Sequence, residues 1–128
     1  MALHVWLIED DIELGDMTGR QLVKNDVRVT RFSDGRSALE RLDRIDDLPD
    51  VVCLDLALPD ISGFEVCARL RADERTARVP ILVVTARTSL EDRARADEVG
   101  ADAYLEKPFR LKAFVAEVQR LAARQRDA

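Results

Sequence analysis

Apolar strand patterns and amphipathic helix patterns alternate five times along this chain, and that alternation restricts the fold more than any other feature of the sequence. The strand patterns lie at residues 3–8, 27–32, 51–54, 81–84 and 103–105. The helix patterns lie at residues 12–24, in a segment with Ala38, Leu42 and Ile45 on one face, at 64–72, at 90–99 and from near Pro108 onward. Strands that are separated by helices predict crossover connections, and these predict a parallel sheet.

The strand patterns differ in a way that predicts their order in the sheet. Residues 3–8, 51–54 and 81–84 are almost continuously apolar, as expected for strands covered by helices on both faces. Residues 27–32 alternate between apolar and polar side chains, and the pattern at residues 103–105 is short. Both features are typical of edge strands. With right-handed crossovers, the predicted fold class is α/β, a doubly wound five-stranded parallel sheet of order 2-1-3-4-5 flanked by five helices.

The composition favours one globular domain in the cytoplasm. The chain has 128 residues, of which 47% are hydrophobic and 35% charged, and this length suffices for one core. The formal net charge of −5 argues against a molecule built to bind polyanions. No apolar run approaches the roughly 18 residues of a membrane span. The N-terminus, MALHVWLIEDD, lacks the basic region of a secretion signal.

The cysteines and the histidine are expected to be structural. Cys53 lies in an apolar strand pattern and Cys67 in a helix pattern, without CxxC spacing, which predicts two reduced core thiols. His4 is the only histidine and lies within the first strand pattern, away from the strand ends. This position argues against a histidine phosphotransfer module.

Polar and charged residues follow four of the strand patterns at the point where each strand ends. Parallel strands end on the same side of a sheet, so these side chains are expected to converge at one edge. They are Glu9, Asp10 and Asp11 after the first strand, Asp55 after the third, Thr85 at the end of the fourth, and Lys107 after the fifth.

This set of groups suits phosphoryl transfer. Two close carboxylates repel by about 4 kcal/mol at an effective dielectric constant of about 20, so a cation is expected to join them. Oxygen ligands favour Mg²⁺, and a carboxylate can act as a nucleophile toward a phosphoryl group. In this interpretation Asp55 becomes modified, while Mg²⁺, the Lys107 ammonium and the Thr85 hydroxyl each neutralise or bond one phosphoryl oxygen.

Four sequence segments together resemble the receiver domain of a two-component response regulator. They are LIEDD at residues 7–11, CLDLALPDISGFEV at 53–66, ILVVTA at 81–86 and GADAYLEKPF at 100–109. The resemblance covers essentially the whole chain, so we expect residues 1–128 to form one receiver domain of flavodoxin-like fold, with no effector domain in this chain.

The resemblance implies roles for individual residues. Asp55 matches the phosphoacceptor, and Glu9 and Asp10 match an acidic pair of which Asp10 is the more direct Mg²⁺ ligand. The backbone carbonyl of Ala57 matches a further metal ligand, and Mn²⁺ can substitute for Mg²⁺. Asp11 follows this pair, and its side chain can equally cap the helix that comes next.

The resemblance also implies a switch. Thr85 matches the switch hydroxyl, Tyr104 the switch aromatic residue, and Lys107 the phosphate-pairing lysine, which precedes a cis peptide bond at Pro108. A sensor histidine kinase donates the phosphoryl group, and the face formed by the fourth helix, fifth strand and fifth helix then repacks to control an output domain or a downstream protein. The protein is expected to be a switch rather than an enzyme, although it takes part in its own phosphorylation and dephosphorylation.

Further expectations concern dimers, nucleic acid and water access. Phosphorylation can induce a homodimer in this family; Arg93 fits the charge pairs of one such dimer, whereas Ala113 and Glu117 depart from them. Nucleic acid is expected to be contacted only through a separate output domain. Ala57 and Arg87 flank the site and are expected to influence water access.

Two alternatives use the same residues differently. A phosphatase of the haloacid dehalogenase type also combines an aspartate nucleophile with Mg²⁺, but it usually has a second aspartate where this chain has Ala57. A pseudo-receiver would bind a partner without phosphorylation. The intact set of acids, Thr85 and Lys107 argues against that alternative.

Overall fold

The computed structural model describes residues 2–44 and 46–127 of the chain. Its strands are β1 His4–Ile8, β2 Arg28–Phe32, β3 Val51–Leu54, β4 Ile81–Thr85 and β5 Ala103–Glu106. Its α-helices are α1 Ile12–Lys24, α2 Gly35–Arg41, α3 Gly63–Ala72, α4 Leu90–Glu98 and α5 Leu111–Asp127. A short 3₁₀ helix, Leu42–Arg44, follows α2. Within the described part of the chain, no helix is both long and apolar enough to cross a membrane.

All five strands are parallel and lie in the predicted order β2-β1-β3-β4-β5. The β1–β3 register pairs Ile8 with Leu54, and the β3–β4 register pairs Leu54 with Val83. The central strands β1, β3 and β4 are buried along their whole length, whereas β2 and β5 contain exposed residues. The sequence-based distinction between central and edge strands is therefore confirmed.

Successive strand residues contribute to cores on opposite faces of the sheet. Trp6 and Ile8 pack in the core on one face, together with side chains from α2, α3 and α4. Val5 and Leu7 pack in the core on the other face, with side chains from α1 and α5. Because β1 and β3 bury both faces, their sequences are apolar at every position except His4, whose ring is hydrogen-bonded to Thr30.

Two helix boundaries differ from the predictions by more than one residue. The segment with Ala38 and Leu42 on one face is not one α-helix, because the chain tightens into the 3₁₀ turn after Arg41; Ile45 lies outside the described residues. The last helix begins at Leu111 rather than near Pro108, and its first turn is marked by the bond from the Phe114 N–H to the Arg110 carbonyl, 3.1 Å.

The helix α4 is thinly anchored. Ala96 is its buried residue among those described, and Leu90 at its start is 85% exposed. This agrees with the weak apolar face of its sequence, and a helix with few buried contacts is expected to open or shift more readily than the others.

Both cysteines lie in the core as free thiols, and His4 is buried as well. The His4 Nε2 lies 2.7 Å from the Thr30 hydroxyl on β2, in keeping with a structural role. Burial raises the pKa of both thiols, that of Cys67 to about 11. Since the thiolate is the reactive form, the thiols are protected by both occlusion and protonation.

We therefore expect neither Cys53 nor Cys67 to react with iodoacetamide in the native protein at mildly alkaline pH. Both should react fully in urea, where occlusion and the raised pKa are lost. Intact-mass measurement after a timed exposure checks this, with the unfolded protein as control. Rapid alkylation of the native protein would contradict the packing described for β3 and α3.

Candidate functional site

The carboxyl ends of β1, β3, β4 and β5 bring the predicted residues together. The Asp55 N–H donates to the Ile8 carbonyl at 3.1 Å, which extends the β1–β3 ladder and places Asp55 beside Glu9. The Lys107 N–H donates to the Thr85 carbonyl at 2.9 Å, which extends the β4–β5 ladder in the same way. The predicted convergence of residues from four strand ends is thus observed.

Lys107 stands between the two buried acids. Its Nζ lies 2.6 Å from Glu9 Oε1 and 2.7 Å from Asp55 Oδ2. The second oxygen of each acid is also bonded: Asp55 Oδ1 accepts the Ala57 N–H at 3.0 Å, and Glu9 Oε2 accepts the Asp11 N–H at 3.2 Å. Both acids are 6% exposed. Buried charges are tolerated when they are paired and hydrogen-bonded in this way.

Burial and hydrogen bonding shift the pKa values of Glu9 and Lys107. Burial raises the pKa of Glu9, opposed by the hydrogen bond from Lys107. Burial would lower the pKa of Lys107, but its hydrogen bonds to Asp55 and Glu9 outweigh that effect and raise the pKa. Lys107 is therefore a fixed positive charge at neutral pH, facing a carboxylate that burial makes easier to protonate.

The residues present fit a small hard cation. Glu9, Asp10 and Asp55 each offer a carboxylate oxygen, and these oxygens lie within 4.8 Å of one another. Two of these acids are buried and Asp10 is exposed, so the group opens to solvent on one side. An all-oxygen set with access to water suits Mg²⁺, which keeps several waters when bound. The third acid of the segment, Asp11, instead caps α1 by accepting the Leu14 N–H at 3.0 Å.

Thr85 and Tyr104 are joined through Arg87. Thr85 is fully buried at the end of β4, and its Oγ1 accepts the Arg87 N–H at 3.2 Å. The Tyr104 hydroxyl donates to the backbone carbonyl of Arg87. Burial raises the pKa of Tyr104, so its hydroxyl stays protonated and able to donate. Arg93 on α4 covers the Tyr104 ring, with its guanidinium carbon 4.7 Å from the ring centroid.

The place of Arg87 at this junction was not predicted from the sequence. Its guanidinium forms two hydrogen bonds to Asp92 in the first turn of α4, at 3.0 and 3.2 Å, and lies 5.5 Å from the Phe64 ring centroid. One residue thus contacts β4, α4 and β5. The sequence signal, an arginine after the TA pair, suggested only proximity to the site.

A sequence model of the response regulator receiver domain matches residues 5–119 of this chain. The chain belongs to the response regulator receiver domain family. Phosphorylation-dependent switching in two-component signalling is the general function of receiver domains in this family.

Similar proteins agree with this family. The receiver domain is 37% identical over 121 residues to the DNA-binding dual master transcriptional regulator RpaA of Synechocystis sp., covering 94% of this chain and 49% of RpaA. It is 37% identical over 124 residues to response regulator MprA of Mycolicibacterium vanbaalenii, covering 97% of this chain and 52% of MprA. The chain therefore spans about half the length of these curated relatives.

A solved structure supports the fold. The CheY-like response regulator receiver domain protein of Methanospirillum hungatei superposes on this receiver domain with a TM-score of 0.91, covering 99% of this chain and 98% of that chain. The two sequences are 20% identical, so this likeness bears on the fold alone. The five-stranded architecture with this strand order is therefore shared with a known receiver domain.

Proposed function

We propose that this receiver domain is switched by phosphorylation of Asp55, with a sensor histidine kinase as the phosphoryl donor. The observation that carries the proposal is the buried contact of Lys107 with both Glu9 and Asp55, beside the exposed Asp10. This arrangement presents a carboxylate nucleophile, a fixed ammonium and a cation site at one point of the surface.

The chemistry is a phosphoryl exchange. An Asp55 carboxylate oxygen attacks phosphorus, the phosphorus–nitrogen bond of the donor phosphohistidine breaks, and its electron pair stays on the imidazole nitrogen. Glu9, Asp10, Asp55 and the Ala57 carbonyl would hold Mg²⁺, which neutralises phosphoryl charge; Mn²⁺ would serve in its place. Lys107 and the Thr85 hydroxyl pair with the remaining oxygens, which orients the group for in-line transfer.

The switch follows from the contacts of Thr85. When the Thr85 side chain turns so that its hydroxyl donates to a phosphoryl oxygen, Oγ1 moves away from the Arg87 N–H that it accepts. The resulting shift of the Arg87 backbone changes the position of the carbonyl that accepts the Tyr104 hydroxyl. The Arg87 guanidinium is hydrogen-bonded to Asp92, so the same shift also displaces α4, which has few buried side chains. Phosphorylation therefore shifts the population between two packings of the face formed by α4, β5 and α5.

The partners proposed are a sensor histidine kinase and an output domain or downstream protein. Both named relatives are about twice as long as this chain, and RpaA is named a DNA-binding transcriptional regulator. By analogy, nucleic acid would be contacted only through a separate output domain, and the protein would act in the cytoplasm as a switch rather than an enzyme.

A homodimer induced by phosphorylation would need contacts other than the family's charge pairs. Glu117 is engaged within α5, since both of its carboxylate oxygens accept bonds from Arg120 at 2.7 and 3.0 Å. Arg93 already covers Tyr104 within the same chain.

Incubation with acetyl phosphate and Mg²⁺ tests the proposed function against the two alternatives. A switch is expected to retain one acid-stable, base-labile phosphoryl group, seen in the intact mass. A phosphatase would instead release phosphate continuously without retaining a label, and a pseudo-receiver would neither take label nor release phosphate. A parallel sample with EDTA in place of Mg²⁺ serves as control.

A further inference from the structure

The loop between β3 and α3, residues 56–62, is tied to a second element of the fold by Asp60. Asp60 Oδ1 accepts the N–H of Gly35 at 2.9 Å, and its Oδ2 accepts the N–H of Arg36 at 2.8 Å. Both donors belong to the first turn of α2, which lies far away in the sequence. The loop begins directly after Asp55 and contains Ala57, whose N–H donates to Asp55 Oδ1.

This contact is separate from the ordinary capping of α2. The first N–H groups of a helix have no partner within the helix. Asp34, the N-cap residue, takes the N–H of Ser37 at 2.7 Å. Asp60 accepts the N–H groups of Gly35 and Arg36, which Asp34 does not accept. A residue of the β3–α3 loop therefore supplies the remaining hydrogen-bond acceptors for the first turn of α2.

Close packing accompanies the hydrogen bonds. Gly35 allows the approach, because a Cβ atom there would lie 2.6 Å from Ile61 Cγ1 and 2.8 Å from Val66 Cγ2. At the base of the loop, the Gly63 N–H donates to the Leu56 carbonyl at 2.9 Å, and a Cβ on Gly63 would collide with the Asp55 carbonyl oxygen. The loop is thus closed at its base and held at its tip.

We propose that Asp60 is a positioning residue for phosphoryl transfer: by fixing the loop tip to α2, it holds Ala57 in place beside Asp55. This inference rests on the proposed function. A site whose surrounding loop is ordered in advance binds its ligand without spending binding free energy on ordering the loop. Without the Asp60 contacts, the loop keeps the packing of Ile61 near Gly35 but loses its hydrogen bonds to α2.

A pair of variants on the same helix terminus separates positioning from stability. Asp60→Ala and Asp34→Ala each remove hydrogen bonds to α2, and both should lower the urea midpoint of unfolding. Isothermal titration of the unphosphorylated protein with Mg²⁺ should show a dissociation constant about tenfold higher for Asp60→Ala, and wild-type affinity for Asp34→Ala. The rate of labelling by acetyl phosphate at fixed Mg²⁺ should follow the same pattern. If Asp60→Ala fails to fold, Asp60→Asn, which keeps one acceptor oxygen, should give an intermediate loss.

Amide hydrogen exchange provides a readout that does not depend on activity. Exchange at Ala57 should accelerate in Asp60→Ala but not in Asp34→Ala. This inference would be overturned if a folded Asp60 variant kept the wild-type Mg²⁺ affinity and labelling rate. It would also be overturned if Asp34→Ala lost as much Mg²⁺ affinity as Asp60→Ala. Either result would leave the proposed function intact. A wild-type protein that takes no label would overturn the proposed function, and this inference with it.

Discussion

Replacing Asp55 with asparagine is expected to abolish the Mg²⁺-dependent labelling of this receiver domain by acetyl phosphate. The amide keeps the size of the side chain and can still accept the Ala57 N–H, but it lacks the nucleophilic carboxylate oxygen. It also removes one charge from the acid cluster, which weakens the cation site. Intact-mass spectrometry at matched times measures the effect.

The matched control is Asp26→Asn, the same chemical change at an exposed position in the turn that follows α1. Asp26 has a backbone φ of 64°, a conformation that asparagine adopts readily, so this variant should fold and take label as the wild type does. Normal labelling of Asp55→Asn would refute the assignment of the acceptor.

Lys107→Ala is expected to separate acceptance of the phosphoryl group from the response to it. The nucleophile remains, so labelling should be reduced but measurable. The ammonium that contacts Asp55 and Glu9 is lost, so the change at α4 and β5 should not follow labelling. Hydrogen exchange of α4 before and after phosphorylation compares the two proteins; a full response in the variant would contradict the proposed role.

Replacing Arg71 with methionine is expected to lower the free energy of unfolding by about 2–3 kcal/mol. The Arg71 side chain joins three segments at the opposite end of the sheet. It donates to the carbonyls of Val79 at 2.6 Å and Gly100 at 3.0 Å, and it pairs with Asp102. Methionine fills similar space but leaves these acceptors without their donor.

Two residues in the loop between α4 and β5, Gly100 and Asp102, are in close contact with the Arg71 side chain. Gly100 has a φ of 102°, and a Cβ atom there would lie 2.9 Å from Arg71 Cγ and Nε. Asp102 also accepts the N–H of Ile81 at the start of β4, 2.8 Å away. Urea unfolding should show a lower midpoint with an unchanged slope. Arg69→Met, on the exposed side of the same helix, should change stability by less than about 0.5 kcal/mol; equal losses in both variants would contradict the argument.

The sequence predicted the sheet well because the relevant signals are local. A strand that buries both faces is almost continuously apolar, as residues 51–54 are, whereas an edge strand need not be. Once the strands are ordered, the positions of Glu9, Asp55, Thr85 and Lys107 follow, because parallel strands share one carboxyl edge. The helix cap at Asp11 was likewise readable, since capping needs only neighbouring residues.

The features that escaped prediction depend on contacts between distant segments. Nothing in the order of residues shows that Asp60 meets the N–H groups of Gly35 and Arg36, or that Arg87 joins Thr85 to Tyr104. The end of α2 at Arg41 was missed because the apolar spacing of Ala38 and Leu42 suits both an α-helix and the tighter turn that replaces it.

Mapping the phosphorylated residue in the wild-type protein tests the central claim most directly. Borohydride reduces an aspartyl phosphate to homoserine, which peptide mass spectrometry then locates. After incubation with acetyl phosphate, we expect one modified residue, Asp55, and no modification when EDTA replaces Mg²⁺. Modification at another residue, or an equal yield without the metal, would contradict it.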